Sequence, residues 1–243
     1  MAHFILIHGA SHGGWCWEKV VPLLERHGHS AVAPDMPGGG SDHTPVHSID
    51  LPLYARRVID LVDAAPSRPV LVGHSMGGIS IPEAGEARSE RIAALVFLCA
   101  LMPVNGQYGR EITGREPGSL VVRSLEMSND GLAYTYKKAN VPTLFYNDCT
   151  PEDVFRATER LRPMPRAIGM TPVHHTPERY GKVKRVYIEC TRDQAITIDL
   201  QRYMTKTLPP DRVVTMETGH SPFISAPEEL ARNLEEIAAW AGA

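Results

Sequence analysis

Short apolar segments that end in turn residues recur along the chain and alternate with segments of helical periodicity. Most of the apolar segments are continuously hydrophobic, which is typical of strands that helices cover on both faces. The pattern therefore predicts an α/β fold with a mostly parallel sheet and helices on both faces. The six predicted strands are Phe4–His8, Ser30–Pro34, Val70–His74, Ala93–Cys99, Val186–Cys190 and Val213–Glu217.

Three predicted helices carry signals at their ends. The first covers Trp17–Gly28, where the final glycine suits the left-handed position after the last turn. The second covers Ser48–Ala64, with its serine as the N-cap. The last is predicted to begin with a capping box formed by Ser225 and Glu228.

The segment 103–182 interrupts this alternation, because it loses the strand period and gains turn pairs such as Pro117-Gly118. We predict that this segment is an inserted cap, and that 1–102 and 183–243 form the α/β core. Inside the cap, Thr150 followed by a proline predicts the start of a helix.

Composition excludes several classes of protein. The 25 basic and 28 acidic side chains among 243 residues give a net charge of -3, without a block of like charges. We therefore expect no binding to nucleic acid or to an anionic membrane. The longest apolar run, at 92–102, is shorter than the roughly 18 residues that a membrane span needs.

The N-terminal residues lack the features of a secretory signal, so we expect a cytoplasmic location. The four cysteines have no CxxC spacing, which argues against a zinc site and against disulfides. We expect them to be small buried hydrophobic residues.

A nucleophile motif follows the third predicted strand, which runs into Gly73-His74-Ser75-Met76-Gly77. The pattern G-x-S-x-G between a strand and a helix is typical of a sharp turn that exposes a strained serine. The two glycines allow neighbouring segments to approach without a side-chain clash. We predict that Ser75 is a nucleophile; the alternative is a glycine-rich loop with an incidental serine.

A serine nucleophile needs a base that a third group orients. In enzymes with this turn, the chain order is serine, acid, histidine. His220 follows the last predicted strand and Asp193 follows the one before it, so we predict that they are the base and the acid. The alternatives are a buried core histidine and an ordinary turn aspartate. His174 and His175 are expected in a solvated loop.

Two backbone N–H groups must hold the negative charge that develops on a substrate oxygen. We predict that one belongs to Met76 and the other to Ala10, in the glycine-rich loop 8–15 after the first strand. This loop should lie beside Ser75 because the first and third strands are expected to be neighbours. The alternative, a phosphate-binding loop, lacks the GxGxxG pattern and the P-loop lysine.

Together these motifs resemble the α/β-hydrolase family, and within it the branch of plant methylesterases and hydroxynitrile lyases. The resemblance implies an α/β-hydrolase fold and an apolar pocket under the cap. It also implies that Ser75, Asp193 and His220 are nucleophile, acid and base, and that Ala10 and Met76 are the oxyanion donors. The segments that carry it span nearly the full chain and are 8–17, 73–78, 146–153, 190–193 and 219–220.

Two departures separate the chemistries of this branch. Its hydroxynitrile lyases carry a threonine where this chain has Gly9 and a lysine where it has Ser221. Without that ammonium group nothing obvious stabilises a leaving cyanide, so ester hydrolysis is preferred.

The pocket is expected to differ from that of the plant methylesterases, which have a cap tryptophan; tryptophan occurs here only at positions 15, 17 and 240. The candidates for the pocket wall are Met127, Tyr134, Leu144, Phe145, Tyr146 and Met164. The alternative for each of them is packing in the hydrophobic core.

The turn at 73–77, which we call the elbow, is followed by a predicted helix. Pro82 and Gly85 predict a kink in that helix.

The sequence thus predicts a carboxylic-ester hydrolase that needs no cofactor and no metal. Its expected partner is a small-molecule ester, a methyl or aryl ester of an apolar acid, and whether the chain forms a homodimer stays open. The alternatives are a hydroxynitrile lyase and a slowly hydrolysing receptor for a small ligand.

Overall fold

Nine strands form two sheets in the computed structural model, which describes residues 1–243. Six of them form a parallel sheet in the order β2-β1-β3-β4-β8-β9, and β5, β6 and β7 form a small antiparallel sheet. The α/β fold with a parallel sheet is therefore confirmed. The strands are β1 (His3–Ile7), β2 (Ser30–Val32), β3 (Val70–His74), β4 (Ala94–Leu98), β5 (Leu125–Met127), β6 (Ala133–Tyr136), β7 (Met164–Pro165), β8 (Lys184–Cys190) and β9 (Arg212–Met216).

Helices cover both faces of the parallel sheet. On one face Phe4 and Leu6 of β1 pack with the first and last helices, and on the other Ile5 and Ile7 pack with the helices at 51–64, 81–87 and 198–207. Since both faces of the sheet are covered, the central strands are buried at every position, and most of their residues are apolar instead of alternating with polar ones. The α-helices are α1 (Val21–Arg26), α2 (Leu51–Ala64), α3 (Ile81–Ala87), α4 (Gly109–Thr113), α5 (Leu120–Arg123), α6 (Val141–Phe145), α7 (Pro151–Thr158), α8 (Ile198–Thr207), α9 (Pro222–Ser225) and α10 (Pro227–Ala241).

Two predicted helix starts are wrong. The N-cap of α2 is Asp50, whose side chain accepts a hydrogen bond from the Leu53 amide, whereas Ser48 lies in a preceding short turn. Helix α10 has no capping box, because Ser225 ends α9 and its hydroxyl donates to Asp148. In α2 the carboxylate of Asp50, and not Ser48, accepts from an amide of the first turn. At α10 the hydroxyl of Ser225 is bonded to Asp148 and does not cap the helix.

The predicted helix over Trp17–Gly28 is shorter in the structure, where a 3-10 turn (Gly14–Trp17) precedes α1. Gly28 does adopt a left-handed conformation, with φ of 83°, as expected after a helix. The kink predicted from Pro82 and Gly85 stays a prediction. A 3-10 turn (Ser75–Ile79) ends before α3, and the proline lies in the first turn of α3, where its missing N–H breaks no hydrogen bond.

The segment between β4 and β8 holds α4 to α7 and the antiparallel sheet, although the sequence predicted no strands there. Thr150 caps α7 by accepting a hydrogen bond from the Asp153 amide, so the predicted helix start is confirmed. The domain limits at 103 and 182 stay a prediction.

All four cysteines are free thiols, and Cys16, Cys99 and Cys190 are buried as expected, while Cys149 is half-buried. None of the helices is long and apolar enough to cross a bilayer.

Candidate active site

The turn at the end of β3 holds Ser75 in a strained conformation. Its φ of 52° lies in the left-handed region, which is unfavourable for a residue with a side chain. A Cβ on Gly73 would lie 2.9 Å from the carbonyl carbon of Gly77, and a Cβ on Gly77 would lie 3.0 Å from the carbonyl oxygen of His8. Both glycines of the motif are therefore required by the close approach of backbone.

A continuous chain of hydrogen bonds joins Asp193, His220 and Ser75. Nδ1 of the imidazole lies 2.7 Å from Oδ2 of Asp193, and Nε2 lies 3.0 Å from Oγ of Ser75. A carboxylate can only accept, so Nδ1 carries the proton and Nε2 is left to accept from the serine hydroxyl. The structure therefore brings together the three side chains that the sequence singled out, in the arrangement that a serine nucleophile and its base require.

The carboxylate of Asp193 is held on its other side by the backbone. Its Oδ1 accepts from the amides of Ala195 at 2.7 Å and Ile196 at 3.0 Å, and the residue is 3% exposed. Because these donors occupy Oδ1, the carboxylate can turn only Oδ2 toward His220.

Two buried side chains hold the backbone of His220. Its carbonyl oxygen accepts from Nε2 of His74 at 2.8 Å and from Sγ of Cys99 at 3.5 Å. Burial lowers the pKa of His74 well below its usual value and raises the pKa of the Cys99 thiol well above its own, so both are neutral donors. His74, Cys99 and His220 each offer a metal-type ligand atom, and these atoms lie within 4.8 Å of one another. Nε2 of His74, Sγ of Cys99 and both ring nitrogens of His220 already form hydrogen bonds, whereas Nδ1 of His74 has no partner.

The loop after β1 lies against the elbow because β1 and β3 are neighbours, as predicted. His8 Nε2 accepts from the Met36 amide at 3.0 Å, so its Nδ1 carries the proton and donates to the carbonyl of Gly9 at 2.8 Å. The Gly9 carbonyl and the Ala10 N–H belong to one trans peptide, in which they point in opposite directions. Because the carbonyl points toward His8, the Ala10 N–H points away from it. That amide donates to no other group in the protein.

A second histidine fixes the next carbonyl of this loop. Nδ1 of His12 donates to the carbonyl of Ala10 at 2.8 Å, and the Tyr146 hydroxyl donates to Nε2 at 2.8 Å. Burial lowers the pKa of His12 to about 3, and also lowers the pKa of His8. Both rings are therefore uncharged near neutral pH. The sequence did not indicate this role for either histidine.

A cavity of about 500 Å³ is lined by Ser75 and also by Ala10 and Met76. Its wall is mostly apolar and contains no acidic side chain. Arg110 and Arg166 also line it, and neither forms an ion pair. The sequence showed no signal for these two arginines, since their position depends on how the insert folds.

The candidates for the cavity wall divide into two groups. Met127, Tyr134 and Phe145 line the cavity, and their contact with substrate stays a prediction. The other three candidates are core residues instead. Leu144, Tyr146 and Met164 are at most 3% exposed and do not reach the wall.

The two adjacent histidines late in the segment 103–182 differ in their burial. His174 is exposed, as expected, whereas His175 is buried and its ring contacts the carbonyl of Pro103 at 3.1 Å. The expectation of a solvated loop is therefore wrong for His175, and neither residue lies on the cavity wall.

Comparison with known proteins finds relatives over nearly the whole chain. The chain is 33% identical over 248 residues to putative methylesterase 14, chloroplastic, of Arabidopsis thaliana, covering 97% of this chain and 71% of that protein. It is 31% identical over 250 residues to methyl jasmonate esterase 1 of Vitis vinifera, covering 97% and 96%. The crystal structure of tomato methylketone synthase I with 2-tridecanone is similar at a TM-score of 0.90 and 29% identity, covering 99% and 98% of the two chains.

The sequence model of the alpha/beta hydrolase family matches residues 4–233. Almost the entire chain, including Ser75, Asp193, His220 and the strands that precede them, lies within that match. The chain therefore belongs to the alpha/beta hydrolase family, with plant methylesterases among its relatives.

Proposed function

We propose that this protein is a serine esterase that hydrolyses small carboxylic esters through an acyl-enzyme. The observation that carries the proposal is the unbroken hydrogen-bond chain from Asp193 through His220 to Ser75, ending at the apolar cavity. The names of two relatives, putative methylesterase 14 and methyl jasmonate esterase 1, support the same reaction class.

In the first half of the reaction Ser75 Oγ attacks the ester carbonyl while its proton moves to Nε2 of His220. The carbonyl electron pair moves onto oxygen, where the amides of Ala10 and Met76 stabilise the negative charge. Each such donor is worth on the order of 10²- to 10³-fold in turnover. The oxyanion then re-forms the carbonyl, the bond to the alcohol oxygen breaks, and His220 gives its proton to that oxygen.

In the second half water replaces the alcohol. His220 removes a proton from water, the hydroxide attacks the acyl carbon, and the bond to Ser75 Oγ breaks as His220 returns the proton to the serine. Asp193 keeps the imidazole in the required tautomer and stabilises the imidazolium through both halves.

The cavity supports an apolar acyl or alcohol group in the substrate. Tyr134, Tyr136 and Phe145 contribute aromatic surface to its wall, and about 500 Å³ accommodates a medium-sized organic group. We therefore propose methyl or aryl esters of apolar acids as substrates.

Cleavage of cyanohydrins is less well supported. A Cβ on Gly9 would lie 2.8 Å from the Cβ of Ser75 and 2.9 Å from Nδ1 of His74, so these side chains would have to shift to admit the threonine of the hydroxynitrile lyases. At the other departure, Ser221 is fully buried and its hydroxyl has no partner. The chain therefore has neither side chain of that chemistry at these two positions.

The test is hydrolysis of p-nitrophenyl esters by the wild type and by Ser75→Ala, with circular dichroism to show that the variant folds. Ser89→Ala, which removes a hydroxyl in a surface turn, is the matched control. We expect loss of activity, and of fluorophosphonate labelling, in Ser75→Ala only. Full activity in folded Ser75→Ala would overturn the proposal. Cyanide release from mandelonitrile, or tight binding of an ester without turnover, would favour the alternatives.

A further inference from the structure

Two adjacent side chains of the insert contact both loops that carry the acid and the base. Nδ2 of Asn147 donates to the carbonyl of Arg192 at 2.9 Å, and Oδ2 of Asp148 accepts from the amide of Gly219 at 2.6 Å. Arg192 directly precedes Asp193, and Gly219 directly precedes His220. The pair therefore reaches the backbone immediately before each of these residues.

The contact at Gly219 is tightly packed. A Cβ at this position would overlap Oδ1 of Asn147 and would lie 2.8 Å from Oδ1 of Asp148, so the loop requires glycine here. Oδ2 of Asp148 also accepts from the hydroxyl of Ser225 at 3.2 Å, which orients the carboxylate. A hydrogen bond to an ionised acceptor is stronger than one between neutral groups. Asp148 is the more enclosed of the pair, since Asn147 is exposed.

The backbone at His220 is thus held from two sides. On one side Asp148 accepts from the Gly219 amide, and on the other His74 and Cys99 donate to the His220 carbonyl. The first restraint comes from the insert and the second from the core. Neither involves the imidazole, whose two nitrogens are left for Asp193 and the serine.

The same stretch of chain reaches the rest of the site. Phe145 lines the cavity, and the Tyr146 hydroxyl donates to His12, which in turn holds the carbonyl of Ala10. Four consecutive residues, 145–148, therefore contact four parts of the site. These are the cavity, the loop 8–15 that we call the oxyanion loop, the loop that carries Asp193 and the loop that carries His220. A surface loop without a role in the reaction would not be expected to contact all four.

We propose that Asp148, assisted by Asn147, is a positioning residue that keeps the imidazole of His220 between Asp193 and Ser75. This inference rests on the proposed esterase function. Loss of the carboxylate leaves the Gly219 amide without its acceptor and frees the backbone before His220. Because a displacement of about 1 Å can cost on the order of 10²-fold in rate, the loss acts on turnover and not on substrate binding.

The experiment compares Asp148→Ala, Asp148→Asn and Asn147→Ala in hydrolysis of a p-nitrophenyl ester. The matched control is Asp153→Asn, which removes another partly buried carboxylate of the insert that contacts Lys19 and not the triad loops. We expect Asp148→Ala to lower kcat by roughly 10- to 100-fold with KM nearly unchanged. Asp148→Asn keeps an acceptor oxygen and should recover most of kcat. Asn147→Ala, which alters an exposed side chain, should give a smaller loss.

The second readout is the downfield proton resonance of His220 Nδ1–H in the hydrogen bond to Asp193. It should shift or broaden in Asp148→Ala and stay in place in Asp153→Asn. This readout needs no ester turnover, so it decides the positioning role even if the wild type hydrolyses no ester. A kcat and a resonance that match the wild type in Asp148→Ala would overturn the inference. If Asp148→Ala does not fold, Asp148→Leu, which is similar in size and offers no acceptor to the Gly219 amide, takes its place, and wild-type values of both readouts in that variant would overturn the inference.

Discussion

The ring Nδ1 of His8 lies 2.8 Å from the carbonyl oxygen of Gly9, and this contact determines the direction of the amide that follows. The Met36 amide occupies the other ring nitrogen, so the tautomer of His8 is fixed. Burial lowers the pKa of this histidine, which therefore acts as a neutral donor. The oxyanion loop is thus oriented by a side chain that does not face the cavity.

Replacement of His8 by alanine should therefore lower kcat by about 10²- to 10³-fold, the value of one oxyanion donor. The peptide before Ala10 loses its only side-chain restraint, while the cavity wall keeps its shape, so KM should change little. Steady-state kinetics on a p-nitrophenyl ester measure this. His3→Ala removes a buried histidine that is bonded to Ser30, from the strand that precedes His8, and serves as control. An unchanged kcat in folded His8→Ala would contradict the prediction.

Asp193→Asn should lower kcat by about 10⁴-fold although the shape of the side chain is retained. The amides of Ala195 and Ile196 will keep the one remaining oxygen, so the NH₂ group will face His220. An NH₂ group donates, so Nδ1 must then accept and the ring proton moves to Nε2, where it prevents the ring from taking the serine proton.

The matched control for that variant is Asp42→Asn, because Asp42 also accepts from two backbone amides, those of Gly38 and Thr44, in a loop outside the cavity. Kinetics and thermal melting of both variants separate catalytic from structural effects. A kcat within tenfold of the wild type in Asp193→Asn would rule out the tautomer argument.

The buried histidines should make the fold sensitive to acid. The pKa of His12 is about 3 in the folded protein against 6.5 for an unperturbed histidine, so between these values only the unfolded chain binds the proton. The free energy of unfolding should then fall as pH falls from about 6.5 toward 3, by up to about 1.4 kcal/mol per pH unit for each such group. His74, whose pKa is also strongly lowered, adds in the same direction.

Urea denaturation at pH 7.5 and pH 5.5 measures this dependence. In His12→Gln the free energy of unfolding should depend less steeply on pH, because one fewer buried histidine takes up a proton on unfolding. Equal stability at the two pH values in the wild type would show that these rings do not stay neutral in the folded state.

Gly9→Ala should reduce activity without unfolding the protein. The new Cβ would lie 2.8 Å from the Cβ of Ser75 and 2.9 Å from Nδ1 of His74, so either the elbow or the oxyanion loop must move. Turnover and the rate of fluorophosphonate labelling should both fall. Gly118→Ala, where a Cβ meets nothing within 4 Å, is the control and should match the wild type. Faster cyanohydrin cleavage in Gly9→Ala would contradict the steric argument.

Arg110 and Arg166 should favour esters that carry a second, anionic group. The cavity wall has no acidic residue to pair with either guanidinium. Replacement of each by glutamine should lower kcat/KM for a hemiester with a free carboxylate by about 2- to 5-fold, the size of an exposed ion pair. For the neutral ester of the same shape the change should be smaller. Arg123→Gln, outside the cavity, is the control; equal effects on both esters would contradict the prediction.

Much of the core could be predicted from the sequence because the signals there are local. A strand covered on both faces is apolar at consecutive positions, and β3 shows this at positions 70–72, just before the turn that holds Ser75. The elbow needs glycine at 73 and 77 for steric reasons that act within a few residues. His220 and Asp193 follow from their places after the last two strands of the sheet.

The insert could not be predicted in the same way. Its strands are two to four residues long, too short for an alternating pattern to be visible. The face of α6 that reaches the cavity also depends on packing, which turns Phe145 toward the wall and leaves Leu144 and Tyr146 in the core.

The amino-acid sequence by itself indicated the alternation of strands and helices in the core, the strained serine, and the histidine and aspartate that lie beside it. Only the tertiary structure decided which groups support them. Asp148 meets Gly219 across 71 positions of the chain, and His12 meets Tyr146 across 134. Hydrogen bonds between distant segments depend on how the segments pack, and no pattern within one segment records which partner will lie within reach.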